Sequence, residues 1–195
     1  MQQRYYWQTD KMLLRAFEPE DVERIIKNRN NLDSNLQWLY DEIKLPRTHE
    51  DLKADYTDMI KNWEKDDKCL LAIENKEGDF AGEITVWFTK RPEMYFIYGV
   101  HIEERYQKQG LAKEALKVLF DYYFNEIGYR KVEALVYGYN RASQIFHERL
   151  GFTLEGILRN RIYSRGQYHD TLVYGMLKDE FNSTYDHSAW RKAVK

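Results

Sequence analysis

The sequence predicts an α/β (α+β) domain built on a mixed sheet, and two observations support that class. Aromatic residues make up 15% of the chain, and aromatic side chains favour the pleated, half-buried surface of a sheet. Apolar runs of strand length alternate along the chain with amphipathic helical patterns. The 195 residues contain no repeat, low-complexity tract or Gly/Ser-rich linker, so we expect one domain over residues 1–195.

The N-terminal third predicts one strand followed by two helices. Met12–Ala16 is a short apolar strand. The segment Glu18–Asp21 opens a helix, because its proline suits a first turn and its acidic residues suit the positive end of the helix dipole. That helix ends in the asparagine-rich segment 28–35. A second helix begins near Thr48, where Asp51 completes an approximate capping box.

The middle of the chain predicts three strands and a helix. Runs of apolar and β-branched residues predict strands over Cys69–Glu74, Phe80–Phe88 and about Met94–Ile102, and a turn joins the first two. A strongly amphipathic helix begins at Leu111 and keeps one apolar side as far as Tyr123.

The last third predicts a strand, a short helix and a hairpin. Lys131–Val136 is the strand. The helix begins after Asn140, which suits an N-cap, and ends at Gly151, which suits a left-handed C-terminal cap. The hairpin joins the last two strands, about Phe152–Tyr163 and His169–Leu177. From about residue 182 the tail is polar, and we expect it to be loose.

Composition and charge exclude several classes of function. Lys and Arg number 30 against 32 Asp and Glu, so the net charge of −2 offers no field for a phosphate backbone, and we expect no nucleic-acid partner. The single Cys69 fits a reducing compartment. No apolar run reaches the ~18–20 residues of a membrane span, so we expect a cytoplasmic protein without a membrane partner. The five histidines show no metal-ligand spacing, and we expect no metal site.

The segment Val100–Ala112 carries the most informative pattern. A strand ends there, a short loop follows, and a helix begins at Gly110. The free N–H groups of a helix N terminus suit a pyrophosphate, and a glycine lets the backbone approach it closely. A P-loop is excluded because no Gly-Lys-Ser/Thr follows, and the dinucleotide-binding fingerprint lacks its three glycines. The alternative is an ordinary turn at a helix start.

Four motifs in order resemble one enzyme family. Gln107-x-x-Gly110-x-Ala112 is similar to the acyl-CoA-binding signature of the GNAT N-acyltransferases, and Asn140, Ser143 and Leu150-Gly151-Phe152 follow at the family's spacing. The opening segment 13–21 resembles the branch that contains the ribosomal-protein N-terminal alanine acetyltransferases and the spermidine acetyltransferases. So does a pair of later segments, Glu155-Gly156-Ile157-Leu158-Arg159 and Gly166-Gln167-Tyr168-His169-Asp170. The resemblance covers about residues 12–178.

The resemblance implies a GNAT fold, a mixed and mostly antiparallel twisted sheet of about seven strands flanked by about four helices, with a splayed acyl-CoA cleft. It implies acetyl-CoA as co-substrate, lying between the strand that ends at Ile102 and the strand near 131–136. The backbone of Val100 and Ile102 would pair with the pantetheine arm as an added strand does. The remaining contacts to the cofactor are implied for Gln107, Lys108, Gln109, Gly110, Leu111, Ala112, Lys113 and Asn140. For Asn140 a plain helix cap is a compatible alternative.

Two residues of the short helix are candidates for catalysis. Many GNAT enzymes place a tyrosine seven residues after the asparagine, where it protonates the departing thiolate, and here that position is His147. A histidine near its reference pKa of ~6.5 suits the same task. Ser143 is the second candidate, because the ribosomal-protein branch is similar in having serine there. The structural alternatives are a polar helix-face residue for His147 and a helper of the cap for Ser143.

The glutamate base that many relatives carry is missing, because its position in the third middle strand is Ile97. At pH 7 an α-amine with a pKa of ~8 is about 10% neutral, whereas an alkylamine with a pKa of ~10.4 is only about 0.04% neutral. This difference is worth about 3.3 kcal/mol and favours an α-amine acceptor for an enzyme without an obvious base. Glu83, Glu93 or Tyr95, acting through a water molecule, are alternative bases.

The acceptor is expected to contact the segment 31–47 and the final hairpin. Aromatic walls and negative charge suitable for a cationic amine are offered by Trp38, Tyr40, Asp41, Glu42 and Glu83. The alternative is that these are loop and packing residues.

The main hypothesis is therefore an acetyl-CoA-dependent N-acetyltransferase that acts on a primary amine, namely a protein or peptide N-terminal α-amine. One rival is a small-molecule acetyltransferase for a polyamine such as spermidine or for an amine antibiotic. A second rival is a non-catalytic acyl-CoA-binding module. The oligomeric state is not fixed by the sequence, although the aromatic-rich hairpin would allow two subunits to pair as a homodimer.

Overall fold

The computed structural model describes residues 6–29, 48–62, 67–164 and 166–186, which form a seven-stranded sheet with helices on both faces. The strands are β1 (Met12–Ala16), β2 (Lys68–Asn75), β3 (Phe80–Phe88), β4 (Tyr95–Ile102), β5 (Lys131–Tyr137), β6 (Thr153–Ser164) and β7 (Gln167–Leu177). The helices are α1 (Pro19–Arg29), α2 (His49–Asn62), α3 (Leu111–Asp121), α4 (Arg141–Leu150) and α5 (Lys178–Thr184). None of these helices is long and apolar enough to cross a membrane.

The sheet is mixed and mostly antiparallel, as the sequence predicts. Its strand order is β1-β2-β3-β4-β5-β7-β6. Every neighbouring pair is antiparallel except β4 and β5, which run parallel. A parallel pair needs a long crossover connection, and α3 provides it.

Each face of the sheet has its own core. On one face, called the α3 face, alternate strand residues pack against α3, α4 and α5 around the buried rings of Phe96, Phe120, Phe124 and Tyr174. On the other, called the α1 face, α1 and α2 cover a smaller cluster that includes Phe17, Tyr56 and Phe80. Because strand side chains alternate between faces, neighbouring residues of one strand serve different cores.

The start of α1 is fixed to the sheet by an ion-pair network. The Arg15 guanidinium on β1 donates two hydrogen bonds to the buried Asp21 carboxylate, at 2.6 and 2.9 Å, and a third to Glu74 on β2 at 2.7 Å. Asp21 also accepts from the backbone N–H of Glu18 at 2.9 Å. The first turn of α1 is therefore tied to two strands, where the Pro19 and acidic-residue pattern predicts a helix start.

The C-terminal helix α5 corrects part of the sequence analysis, which expects a loose tail from about residue 182; the structure describes this tail as far as residue 186. Residues 178–184 form one short helix whose only apolar interior residue, Phe181, is fully buried against Phe120 and Phe124. Tyr185 follows, and its hydroxyl donates to the carbonyl of Leu150 at 2.7 Å. One aromatic residue in a polar stretch is too weak a pattern to predict a helix, and the tertiary contact decides the structure.

Substituting Phe181→Ala tests this packing. Truncating a buried phenylalanine removes its transfer free energy and leaves a cavity, so we expect the free energy of unfolding to fall by about 3–5 kcal/mol. Ser183→Ala, at an exposed position of the same helix, is the matched control and should change it by about 0.5 kcal/mol or less. Urea denaturation of both variants measures the difference, and equal values would show that α5 is not part of the core.

Candidate active site

The site begins as a gap between β4 and β5. The two strands pair over three residues each, 95–97 of β4 with 131–133 of β5, and the last pair is Ile97 with Glu133. Both strands continue beyond this point, β4 along β3 and β5 along β7. Because each strand is held by its outer neighbour, the two separate, and backbone groups that would pair in a closed sheet border the gap. The splayed opening that the resemblance implies is therefore present, with its closed end at Ile97 and Glu133.

The N terminus of α3 follows the open end of this gap. Gly110 is the N-cap residue and has a left-handed φ of 83°, and no side chain caps the helix. The first N–H groups of α3 are thus left for a ligand or water. Lys108 is also left-handed, with a φ of 61°. Left-handed residues in a short loop make backbone concavities of the kind that bind anions.

Positive side chains lie near this loop, including one that the sequence analysis missed. Lys108 and Lys113 are exposed beside the helix start. Lys11, which precedes β1, places its Nζ 3.4 Å from where a Cβ on Gly110 would lie. Its proximity results from the packing of β1 near α3, so no local pattern could reveal it. The three amines and the helix dipole make this end of the gap suitable for phosphate groups.

The glutamines of the loop have structural contacts of their own. Gln107 Nε2 donates to the carbonyl of Ile102 at 3.0 Å, and Gln109 Nε2 donates to the carbonyl of Arg105 at 3.1 Å. The first bond holds the loop against the end of β4, and the second lies within the loop. The side chains of Val100 and Ile102 pack against the α3 core, so their part in any ligand contact falls to the backbone that borders the gap.

Asn140 is the N-cap of α4, as the sequence predicts. Its Oδ1 accepts from the N–H of Ser143 at 3.0 Å. The buried Gln144 donates to the carbonyl of Gly138 at 2.9 Å, and the N–H of Gly138 donates to the carbonyl of Asp170 on β7 at 2.8 Å. The start of α4 is therefore fixed beside the ends of β5 and β7.

His147 of α4 lies near the closed end of the gap, between a tyrosine of β4 and a tyrosine of β7. Its ring centroid is 5.9 Å from that of Tyr98, the first β4 residue beyond the last β4–β5 pair. On the other side it stacks on Tyr174 at 5.7 Å, and Tyr174 pairs with Ala134, the first β5 residue beyond that pair. Phe152 packs edge-on against it at 5.2 Å. The imidazole is 5% exposed and lies on the α3 face of the gap.

The hydrogen bonds of His147 define its tautomer. Nδ1 lies 2.7 Å from the backbone carbonyl oxygen of Ser143, and since a carbonyl only accepts, Nδ1 carries the proton. The Ser143 hydroxyl is 3.4 Å from the same nitrogen. Burial lowers the pKa of His147, although the hydrogen bond to Ser143 opposes this. The ring is consequently neutral at pH 7, with its lone pair on Nε2.

The two neighbouring residues His147 and Tyr98 each have a buried polar atom without a protein partner in the described part of the chain. These atoms are Nε2 of His147 and the hydroxyl of Tyr98. Burial raises the pKa of Tyr98 well above its ordinary value, so the hydroxyl stays protonated. A buried polar atom without a partner costs about 1–3 kcal/mol, and atoms of this kind in native proteins often serve a ligand or water.

On the α1 face, the closed end of the gap is bordered by other residues. Trp87, Ile97 and Glu133 form a row across β3, β4 and β5. The indole of Trp87 is 40% exposed and lies over Gly99, with two ring atoms 3.7 Å from where a Cβ would be. The β4 residue at this point is Ile97, whose side chain carries no carboxylate. The neighbouring Glu133 supplies one from β5, which the sequence analysis missed because the pairing is non-local.

Glu133 belongs to a triad of charged side chains. Lys131 Nζ lies 2.8 Å from Glu133 Oε1 and 2.6 Å from Glu155 Oε2. Burial disfavours the charge on Lys131, but its hydrogen bonds to the two glutamates outweigh this and raise its pKa. Glu155 reaches the lysine across Gly175. A Cβ at position 175 would collide with the Glu155 carboxylate, so a side chain there would displace it.

The predicted acceptor residues are only partly covered by the structure. Glu83 lies on the α1 face of β3, opposite His101. Since His101 is four residues beyond Ile97, Glu83 is about 13 Å from the closed end at roughly 3.3 Å per residue. The other four candidates, Trp38, Tyr40, Asp41 and Glu42, lie outside the described residues.

Comparison with known proteins gives consistent matches. Residues 11–153 match the family model of the acetyltransferase (GNAT) domain. The uncharacterized N-acetyltransferase YokL, derived from the SPbeta prophage of Bacillus subtilis, is 31% identical over 90% of this chain and 95% of its own length. YdaF of Bacillus subtilis, whose name assigns it provisionally as a ribosomal N-acetyltransferase, is 26% identical over 88% of this chain and 94% of its own.

A solved structure shares the fold. The spermidine N-acetyltransferase from Vibrio cholerae, crystallised with CoA and spermine, superposes with a TM-score of 0.74. The match covers 89% of this chain and 99% of that one, at 20% sequence identity. The GNAT fold predicted from the motifs is therefore confirmed, and five helices rather than about four accompany its sheet within the described residues.

The variant Gly110→Asp tests the phosphate end of the site. A side chain and a negative charge at the N terminus of α3 would oppose a pyrophosphate, so we expect acetyl-CoA to bind at least about tenfold more weakly, which is about 1.4 kcal/mol. Gly128→Asp is the matched control, because Gly128 is also left-handed, with a φ of 90°, but follows the opposite end of the same helical segment.

Both variants bear the same backbone strain. Isothermal titration calorimetry with acetyl-CoA therefore distinguishes an effect on the binding site from a general loss of stability. The control should bind within about twofold of the unmodified protein, or about 0.4 kcal/mol. Undiminished binding by Gly110→Asp would contradict the placement of the pyrophosphate.

Proposed function

The chain belongs to the GNAT acetyltransferase family and is an N-acetyltransferase, and we propose that its acceptor is the α-amine at the N terminus of a protein or peptide. The observation that carries this choice is that, among the residues that the structure describes, no carboxylate at the closed end of the gap is free of an ion pair. β4 presents Ile97 there, and Glu133 on β5 is held by Lys131. An amine with a low pKa needs the least help to lose its proton, and α-amines have the lowest pKa of the common biological alkylamines.

We place acetyl-CoA in the gap, with its pyrophosphate at the loop 107–110 and the first turn of α3. Backbone N–H groups, Lys113 and Lys11 would neutralise the phosphates. The pantetheine arm would pair with the β4 backbone from Val100 to Ile102, which lacks a partner on β5. The cap uses only Oδ1 of Asn140, so its Nδ2 would donate to a carbonyl of the arm.

The acetyl group then lies at the closed end, between the two faces of the sheet. His147 faces it from the α3 face, and the amine approaches from the α1 face past Trp87 and the charged triad. The triad has two carboxylates and one ammonium, and it leaves one negative charge for one incoming ammonium group. The exposed indole of Trp87 offers an apolar wall to the residue that bears the amine.

A polyamine acceptor is the second candidate, and one spacing favours it. Glu83 and Glu133 both lie on the α1 face, about 13 Å apart along the strands at roughly 3.3 Å per residue. An extended polyamine with an ammonium at each end would bridge two such carboxylates. The spermidine acetyltransferase that shares this fold shows that the fold accommodates a substrate of this class.

The predicted homodimer stays a prediction, and the edge of the sheet supports it. β6 is the last strand, so its outer backbone groups have no strand partner in the described sheet. Leu154, Ile157 and Leu158 on this strand are at least 39% exposed. An apolar edge strand of this length is usually covered in a stable protein.

Initial rates of CoA release from acetyl-CoA distinguish the two acceptors. We compare a short peptide that begins with Ala, the same peptide with a blocked N terminus and an internal lysine, and spermidine. The pKa values of the α-amine and of the alkylamines differ by ~2.4, so the neutral fraction of the α-amine at pH 7 is larger by more than about 100-fold. We therefore expect kcat/KM for the Ala peptide to exceed that for the other two substrates on the order of 100-fold. Faster turnover of spermidine would contradict the α-amine proposal and establish the polyamine alternative.

A further inference from the structure

We propose that Nε2 of His147 accepts the proton of the attacking amine and then returns it to the departing sulfur, so that one side chain acts as base and acid in turn. This inference rests on the proposed function, since it assumes acetyl transfer to an amine. It assigns to His147 a role beyond thiolate protonation alone, and it accounts for the lack of a carboxylate base on β4.

The position of the imidazole carries the first part of the argument. His147 contacts Tyr98 of β4, on one side of the gap, and Tyr174 of β7, which pairs with Ala134 of β5 on the other side, at the level just beyond the last β4–β5 pair. A thioester at the closed end of the gap would therefore lie against this ring. Of the ring atoms, only Nε2 is both polar and without a protein partner in the described ranges.

The hydrogen bond of Nδ1 carries the second part. Because the Ser143 carbonyl holds the proton on Nδ1, the neutral ring presents a lone pair at Nε2 and has no proton to give there. It must first receive one before it protonates a thiolate. The attacking amine is the group that has a proton to lose at this point of the reaction.

Other groups at the closed end fit these roles less well. Glu133 lies on the α1 face, from which the amine approaches, but its Oε1 is held in an ion pair with Lys131 at 2.8 Å. The Tyr98 hydroxyl is wholly buried and stays protonated, so it cannot accept the amine's proton. The Ser143 hydroxyl is on the Nδ1 side of the imidazole, at 3.4 Å, which suits a positioning residue.

The environment of the ring disfavours the imidazolium form of His147, so a proton accepted at Nε2 is readily given up again. The ring is faced by Tyr98 from β4, by Phe152 at the start of β6, and by Tyr174 from β7, whose hydroxyl donates to Glu148 at 3.2 Å. Glu148 in turn lies 3.8 Å from Arg141. Apart from that ion pair, the neighbours are neutral aromatic rings, in which an imidazolium is poorly solvated and therefore a strong acid.

The step balances without a further reactant. The amine nitrogen adds to the thioester carbonyl carbon, and the carbonyl electron pair moves onto oxygen. The proton of the resulting ammonium moves to Nε2, the oxygen pair re-forms the carbonyl, and the C–S bond breaks with its electrons going to sulfur. The Nε2 proton then moves to sulfur, which gives the amide, the CoA thiol and neutral His147.

The variant His147→Gln removes the titrating nitrogen and tests the proposal. We expect kcat with the Ala peptide to fall about 10²–10⁴-fold, as for loss of general acid–base catalysis, while calorimetry shows acetyl-CoA bound within about threefold of the unmodified enzyme. His147→Asn is a second variant that keeps an amide donor near the Ser143 carbonyl. His49→Gln, at an exposed histidine that contacts Glu23, is the matched control and should keep full activity.

The pH profile of kcat/KM separates a shuttle from a structural role. Below the α-amine pKa of ~8, log kcat/KM should fall with a slope of about one, because only the neutral amine attacks. In the unmodified enzyme the slope should steepen to about two below the pKa of His147, since protonated His147 cannot accept a proton; this pKa lies under the ordinary ~6.5. In His147→Gln the slope should stay at about one throughout.

The outcomes separate the two proposals. If the unmodified enzyme acetylates no amine, the proposed function is wrong and the shuttle falls with it. Acetyl transfer that is undiminished in both His147 variants, or a slope of two that persists in them, overturns the shuttle alone. Loss of rate together with loss of the steeper limb supports it.

Discussion

The short pairing of β4 with β5 is the constraint on which the rest of the structure depends. Each strand is fully paired with its outer neighbour, so the sheet remains continuous at the closed end of the gap and opens beyond it. Unpaired backbone groups inside a protein are unfavourable unless something pairs with them. An extended molecule with amide groups is a suitable partner, and the pantetheine arm of CoA is such a molecule. The candidate site thus lies where the backbone hydrogen bonding between β4 and β5 is incomplete.

Everything else at the site is positioned relative to that gap. The crossover that a parallel pair requires places the N terminus of α3 after the end of β4, where phosphates would be stabilised. The next connection places Asn140 beside the end of β5 and directs α4 back along the α3 face. The aromatic core then fixes His147 between Tyr98, Phe152 and Tyr174. Packing, rather than a hydrogen bond at Nε2, therefore sets the direction of this lone pair.

Local sequence patterns predicted most of the strands and helices, because side-chain alternation and helix caps depend on residues that are close in sequence. Apolar alternation located the strands, and Asn140 and Gly151 marked both ends of α4 correctly. The motif at Gln107–Ala112 coincides with the loop before α3, whose N-cap is Gly110, and the side chain of Gln107 donates to the carbonyl of Ile102 in that loop. Cys69, which suggested only a redox compartment, is a buried core residue of β2.

The features that could not be predicted from the sequence depend on contacts between residues that are far apart along the chain. Lys11 beside Gly110, Glu133 beside Ile97, and Glu155 over Gly175 each join segments that only the tertiary structure brings together. The tautomer of His147 depends on one backbone carbonyl, and its neutral state depends on burial, neither of which a motif encodes. The helix α5 forms because Phe181 has a place in the core.

A crystal structure of the protein with CoA tests the central claim most directly, that the gap holds the cofactor with its sulfur at His147. We expect the pyrophosphate at the first turn of α3, the pantetheine arm along 100–102, and the sulfur within about 3.5 Å of Nε2 or one water away. CoA bound outside the gap, or a sulfur directed away from His147, would contradict it.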